Sequence, residues 1–162
     1  MLVVALALAG QAWGQATSTL TVSGKVAQPL TLTIDDLKRQ PVHTIDYPPQ
    51  DSARANDSGA LHRRYSGCLL RDVLAAARPA ESRARDLRKS YVVATASDGY
   101  EVLFSWAELF VSPIGDSAIV AYERDGRPLG DDEGRIALIV PGDTRPVRHV
   151  KWLQSVRLQT AD

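Results

Sequence analysis

Two stretches of the sequence carry side chains with chemistry in them. The first is "PGDTRPVRHVKW", residues 141–152, where Gly142, Arg145, Arg148, His149 and Lys151 follow a continuous apolar run. Guanidinium groups hold phosphates and carboxylates two bonds at a time, and a lysine adds a point charge, so such a loop is a candidate anion site. Gly142 would let the backbone come close to a ligand. The same residues also suit a solvated basic loop paired with the acidic "GDDEG" turn (Asp131 to Glu133), and both readings stay open here. The second stretch is "RRYSGCLLRDVL", which holds Cys68, the one cysteine in the chain. A lone thiol can be a metal ligand, a nucleophile or core filler. Its place at the start of an apolar helix favours filler, because free cysteine is among the side chains most often buried.

Other chemistries find less material. One cysteine makes no internal disulfide, and no CxxC or Cys/His zinc spacing is present. His43, His62 and His149 are scattered, so no metal site is expected. A Cys68–His62 nucleophile pair would need the intervening chain to fold back on itself. Asp35 and Asp36 suit helix capping, and Asp131 and Asp132 a solvated turn. No glycine-rich nucleotide loop occurs. Lys and Arg total 19 and Asp and Glu total 19, for a formal net charge of zero. Nucleic-acid binders carry a basic excess, so that class is set aside.

The elements that must position these groups read as one α+β domain over residues 16–162: a mixed β-sheet domain with short helices. "TLTVSGKV" alternates as a half-buried strand ending near Gly24. Thr33 is placed to cap a short helix stopped by Pro41, and "VHTIDY" is a further strand. Residues 48–62 are polar, small and rich in turn formers, which makes them a long loop. Apolar spacing predicts a helix from about Leu69 to Arg78. "YVVATASDGYEVLFS" is a hairpin turning at Asp98-Gly99, and Ser105 with Glu108 forms a capping box opening "WAELF". "AIVAYERDGRPL" is a strand and turn, and "IALIV" has the unbroken apolar character of a strand buried on both faces. Trp152 and Leu153 read as core. The last strand alternates through Val156 and Leu158.

The first residues stand apart. "MLVVALALAGQAWGQA" is apolar for about ten residues and then turns small and polar, too short to span a bilayer as a helix. It reads as a signal peptide over residues 1–15. The expectation is an exported, periplasmic or otherwise extracytoplasmic protein with no membrane span in its mature chain.

"YSGCLLRDVL", "IVAYERDGRPLGDDEG" and "LIVPGDTRPVRHVKWLQSV" resemble, in order and spacing, successive signatures of the molybdopterin-binding domain of the sulfite oxidase family. The resemblance runs from about Leu20 to Leu158 and implies that family's fold. It also implies a cofactor role for the basic loop, in which an anionic pterin phosphate meets Arg145, Arg148, Lys151 and the backbone at Gly142, with His149 where the family usually has serine. Family enzymes bind molybdenum through a thiolate about ten residues before the aromatic-x-Gly motif. Here that position falls near Ala55, in a stretch without cysteine. Arg54, Arg63, Arg64 and Arg71 are candidates for the family's oxyanion-facing arginines, with Arg71 better suited to a structural pairing at its helix start. The missing thiolate leaves two expectations. One is an oxidoreductase, or a degenerate relative of one, that still binds molybdopterin. The other is a cofactor-free module for a small anion or a protein partner.

Overall fold

The protein is described by a computed structural model covering residues 15–47 and 63–161, apart from Ser82 and Thr144. The segment 48–62, with Arg54, Ala55 and His62, lies outside the described residues, as does the apolar start before Gln15.

Among the described residues ten strands, four short α-helices and one 3-10 turn (Pro113–Asp116) build an α+β fold, as the sequence predicts. One sheet has the order β2–β1–β10–β5–β6, from β1 (Thr19–Gly24), β2 (Leu30–Thr33), β5 (Ser90–Ala96), β6 (Glu101–Ser105) and β10 (Leu153–Thr160). The pair β1–β10 is parallel and the others antiparallel, so the sheet is mixed. The second sheet runs β3 (His43–Tyr47), β4 (Arg63–Leu69), β7 (Ile119–Arg124) and β8 (Arg127–Pro128), with β9 (Ala137–Ile139) also on β7.

Local chemistry explains several boundaries. Thr33 caps α1 (Ile34–Lys38) and Asp36 reciprocates, forming a capping box. Ser105 and Glu108 do the same for α4 (Trp106–Phe110). Helix α2 spans Leu70–Ala76, a little shorter than its apolar spacing predicts, and Arg78 sits beyond it at φ 53°. Arg71 pairs with Asp116 at 2.5 Å, the structural role expected of it.

The centre of the second sheet, where β9, β7 and the end of β4 lie side by side, is buried on both faces. Cys68, Val120 and Leu138 face the main core with α2, β5 and β10, while Tyr65, Ile119, Ala121 and Ile139 face a second apolar cluster. This explains why "IALIV" is apolar throughout: its alternate residues meet different cores. The loop 141–152 leaves β9 in one sheet and enters β10 in the other, so it crosses the junction between them. No helix among the described residues is long and apolar enough to cross a membrane.

Candidate functional site

The centre of the site is Glu133, in the turn between β8 and β9, with a side chain only 1% exposed. Three backbone N–H groups, of Glu133, Gly134 and Arg135, donate to the Gly130 carbonyl and set the turn. The Trp152 N–H donates to the Glu133 carbonyl at 2.9 Å, which ties the turn to the basic loop. Gly134 lies at φ 85°, and a Cβ there would come within 2.5 Å of Trp152 Cα. Only glycine permits that approach.

Around the Glu133 carboxylate two strands of the second sheet and the loop converge. The Tyr65 hydroxyl, on β4, donates to Oε1 at 2.9 Å. Arg124, on β7, also donates to Oε1, and Arg63 approaches it at 3.6 Å. His149 Nε2 lies 3.7 Å from Oε2. Burial alone would raise the Glu133 pKa, but His149, Tyr65 and Arg124 outweigh it and hold the carboxyl at about 2. At 3.7 Å the imidazole contact is longer than a hydrogen bond, so the bonds from Tyr65 and Arg124 are the ones in place.

His149 is itself 1% exposed in its side chain and sits edge-on between Tyr47 and Tyr65, with centroids 5.8 and 6.0 Å away. Burial, then the charge of Asp143, push the Tyr47 phenol up to about 12, and burial and Glu133 do the same for Tyr65. Both phenols are therefore protonated donors. Among the described residues, Glu133 Oε2 and both nitrogens of His149 are buried without a hydrogen-bond partner.

The sequence-predicted residues divide sharply. Arg148 is 16% exposed and already engaged: Nε donates to Asp143 Oδ2 at 2.8 Å, Nη2 to Oδ1, and Nη1 to Glu108 Oε1 at 3.0 Å. Its guanidinium also lies over the Phe104 ring at 4.6 Å. Arg145 is exposed and Lys151 half-buried, and neither has an ion pair among the described residues. Gly142 is exposed, and a Cβ there would meet only Ile114 Cγ1 at 3.6 Å, an ordinary contact. Arg64 pairs with Asp46, away from Glu133.

Asp98, Tyr100, Pro146, His149, Lys151 and Trp152 line a cavity of about 200 Å³. Trp152 is thus half-buried on a cavity wall, at φ 51°, rather than in the core where its apolar character put it; Leu153 alone is core. A wider open depression of about 960 Å³ on the second sheet is lined by Thr44, Asp46, Arg64, Ser66, Asp125 and Gly126. Its two carboxylates to one guanidinium make it a poor anion site.

The sequence reading placed Glu133 only in the acidic turn paired with a solvated basic loop and did not single it out as a buried site residue. One signal was available: Gly134 and the apolar Ile136 follow it at once, so the chain is turning inward there.

A family model, the oxidoreductase molybdopterin binding domain, matches residues 9–162. The chain belongs to this family. Among solved structures it is similar to the sulfane dehydrogenase SoxCD from Paracoccus pantotrophus, with a TM-score of 0.67 and 20% identity. The match covers 90% of this chain and 39% of that one, and at this identity it establishes the fold alone. No curated protein matches the sequence.

Members of this family bind molybdopterin. Molybdenum beside a dithiolene takes a soft thiolate. Cys68, the only cysteine, is fully buried in the main core, and burial pushes its thiol up to about 12. No thiolate can face the site. Among the described residues no cluster of three His, Cys, Asp or Glu could hold a metal. The residues present do not fit the family's metal centre.

Proposed function

We propose that this chain is an exported, molybdenum-free member of the family that binds a small anion between Lys151 and His149. The observation that carries this reading is the cavity's lining: an unpaired lysine beside an unpartnered buried histidine, with no sulfur ligand in reach. Its volume of about 200 Å³ suits a small anion. Pockets for cofactor-sized molecules run to about 300–1,000 Å³. Arg145 adds an exposed outer charge, and Arg148 holds the loop that carries both. Export rests on the apolar start, and N-terminal sequencing that finds Met1 retained would remove it.

Family membership favours a second reading, in which Arg145, Arg148 and Lys151 hold an anionic pterin phosphate and the chain is an oxidoreductase. One experiment separates the two. Protein purified from its native host is analysed for molybdenum and pterin, then titrated with inorganic phosphate beside the Lys151→Ala variant. The anion module predicts no molybdenum and saturable phosphate binding, weakened roughly tenfold in the variant. Stoichiometric molybdenum or pterin would establish the second reading instead.

A further inference from the structure

A depression of about 460 Å³ lies at the end of the first sheet where β1, β10 and β5 stand side by side, with Gly24, Lys25, Tyr91, Arg157, Gln159 and Thr160 in its lining. Strand register puts its side chains on one face. Arg157 is paired with Ser23 on β1 and with Val93 on β5, and Gln159 with Tyr91, so Arg157, Gln159 and Tyr91 point the same way. That way is outward, because the alternate residues Val92, Val156 and Leu158 belong to the main core. Gly24 shapes the floor. Its φ is 93°, and a Cβ there would stand 2.1 Å from the Leu158 carbonyl oxygen and 2.9 Å from Arg157 Cγ. The glycine therefore makes room for the Arg157 stem at the end of β1. Lys25 follows it in the chain, fixed by its N–H on the Leu158 carbonyl at 2.8 Å and its carbonyl on the Ala80 N–H at 2.9 Å. Neither Lys25 nor Arg157 has an ion pair among the described residues, and no carboxylate is found in the lining. In a chain of zero net charge with 19 acidic side chains, that is a local excess of positive charge.

We propose that this depression binds a small organic dianion, with one anionic end on Lys25, the other on Arg157 and the spacer against the Tyr91 ring. A guanidinium takes a carboxylate through two parallel N–H bonds, and an ammonium supplies a point charge, so carboxylate ends suit the pair. One exposed contact of this kind contributes little, because water competes for both charges. Two contacts on one molecule add without a second loss of translational freedom, so a dianion is held far better than a monoanion. The volume falls within the range of about 300–1,000 Å³ typical of small-molecule sites. Gln159, Thr160 and the Tyr91 hydroxyl are neutral hydrogen-bonding groups for the rest of the ligand. This site shares no lining residue with the cavity at Lys151 and does not depend on what that cavity binds.

The test is calorimetric titration of the full chain with succinate and with acetate, at low and high salt, beside the variants Arg157→Met, Lys25→Met and Lys151→Ala. Succinate should bind saturably, roughly tenfold or more tightly than acetate, and added salt should weaken it. Arg157→Met keeps a stem over Gly24 and removes the charge, so it should weaken succinate roughly tenfold while the unfolding curve stays in place. Lys25→Met should act in the same way, and Lys151→Ala should leave succinate binding unchanged. No saturable succinate binding, equal affinity for succinate and acetate, or binding that survives Arg157→Met overturns the proposal. Loss of succinate binding in Lys151→Ala alone also overturns it, by moving the dianion to the other cavity.

Discussion

Arg148 and Asp143 meet side-on, with Nε 2.8 Å from Oδ2 and Nη2 on Oδ1, and Glu108 takes the third contact from Nη1. Glu108 belongs to α4, where its Oε2 also accepts from the Ser105 N–H at 2.7 Å to complete the capping box. One carboxylate therefore joins a helix start to the basic loop. The loop's most obvious ligand-binding residue is in this way a structural clamp, and the neighbours it fixes are left to meet solvent.

The first prediction follows. Arg148→Ala leaves Asp143 and Glu108, only partly exposed, without their cation, and strips the face of Phe104. It should destabilise the fold by about 2–4 kcal/mol, read from urea unfolding, since breaking a largely buried pair costs more than an exposed one. Lys151→Ala should change stability by about 0.5 kcal/mol or less. If Arg148→Ala instead leaves the unfolding curve unmoved, the clamp is wrong.

Cys68 gives the second. Its thiol lies in the main core with burial holding it near 12, so the native protein at pH 8 contains almost no thiolate. Thiol reagents should label it only as fast as the domain opens, and denaturant should accelerate labelling sharply. Cys68→Ala should cost about 1–2 kcal/mol through the small void it leaves. Rapid labelling of the folded protein would place the sulfur at the surface.

Much of the fold was legible because its signals are local. The capping boxes at Thr33 and Ser105, the Asp98-Gly99 turn and the unbroken apolar strand each depend on neighbours a few residues apart. The site depends on distant ones. Tyr65 lies 68 residues from Glu133, and Glu108 lies 40 from Arg148. Within "GDDEG" the following Gly134 is the one local mark on the third carboxylate; the arrival of β4, β7 and the loop is what buries it. The reading of Gly142 as a close-approach glycine likewise looked for a local cause, whereas the glycine that geometry requires is Gly134, pressed against Trp152.

Glu133 yields a third prediction, in pH. Its carboxyl sits at about 2 when folded against an ordinary value of 4.5, so the folded state favours the ionised form. The resulting stabilisation is fully present above the unfolded pKa and is lost as pH falls from about 4.5 through 2. Its size is on the order of 3 kcal/mol. Chemical denaturation between pH 6 and pH 2.5 should show this loss, and Glu133→Gln should flatten it. A variant with the wild-type slope would mean that other carboxylates carry the acid sensitivity.

Gly134→Ala carries the last prediction, because it disturbs the site without touching a charged group. The new methyl would fall 2.2 Å from Trp152 Cδ1 and 2.5 Å from its Cα, at a backbone φ of 85° that alanine resists. Neither contact is the end of a flexible chain, so the turn and the loop must separate. That separation breaks the Trp152 N–H to Glu133 carbonyl bond and draws His149 away from Glu133. Strain and the lost bond together should destabilise the domain by about 2–4 kcal/mol. Phosphate binding should weaken too, because His149 and Trp152 both line the cavity and move with the loop. Gly126→Ala is the control, since its φ is also positive at 74° but nothing lies within 4 Å of its added Cβ. It should show the backbone penalty, about 1 kcal/mol, with phosphate binding intact. Equal effects of the two substitutions on ligand binding would mean that the contact between the Glu133 turn and Trp152 does not shape the cavity.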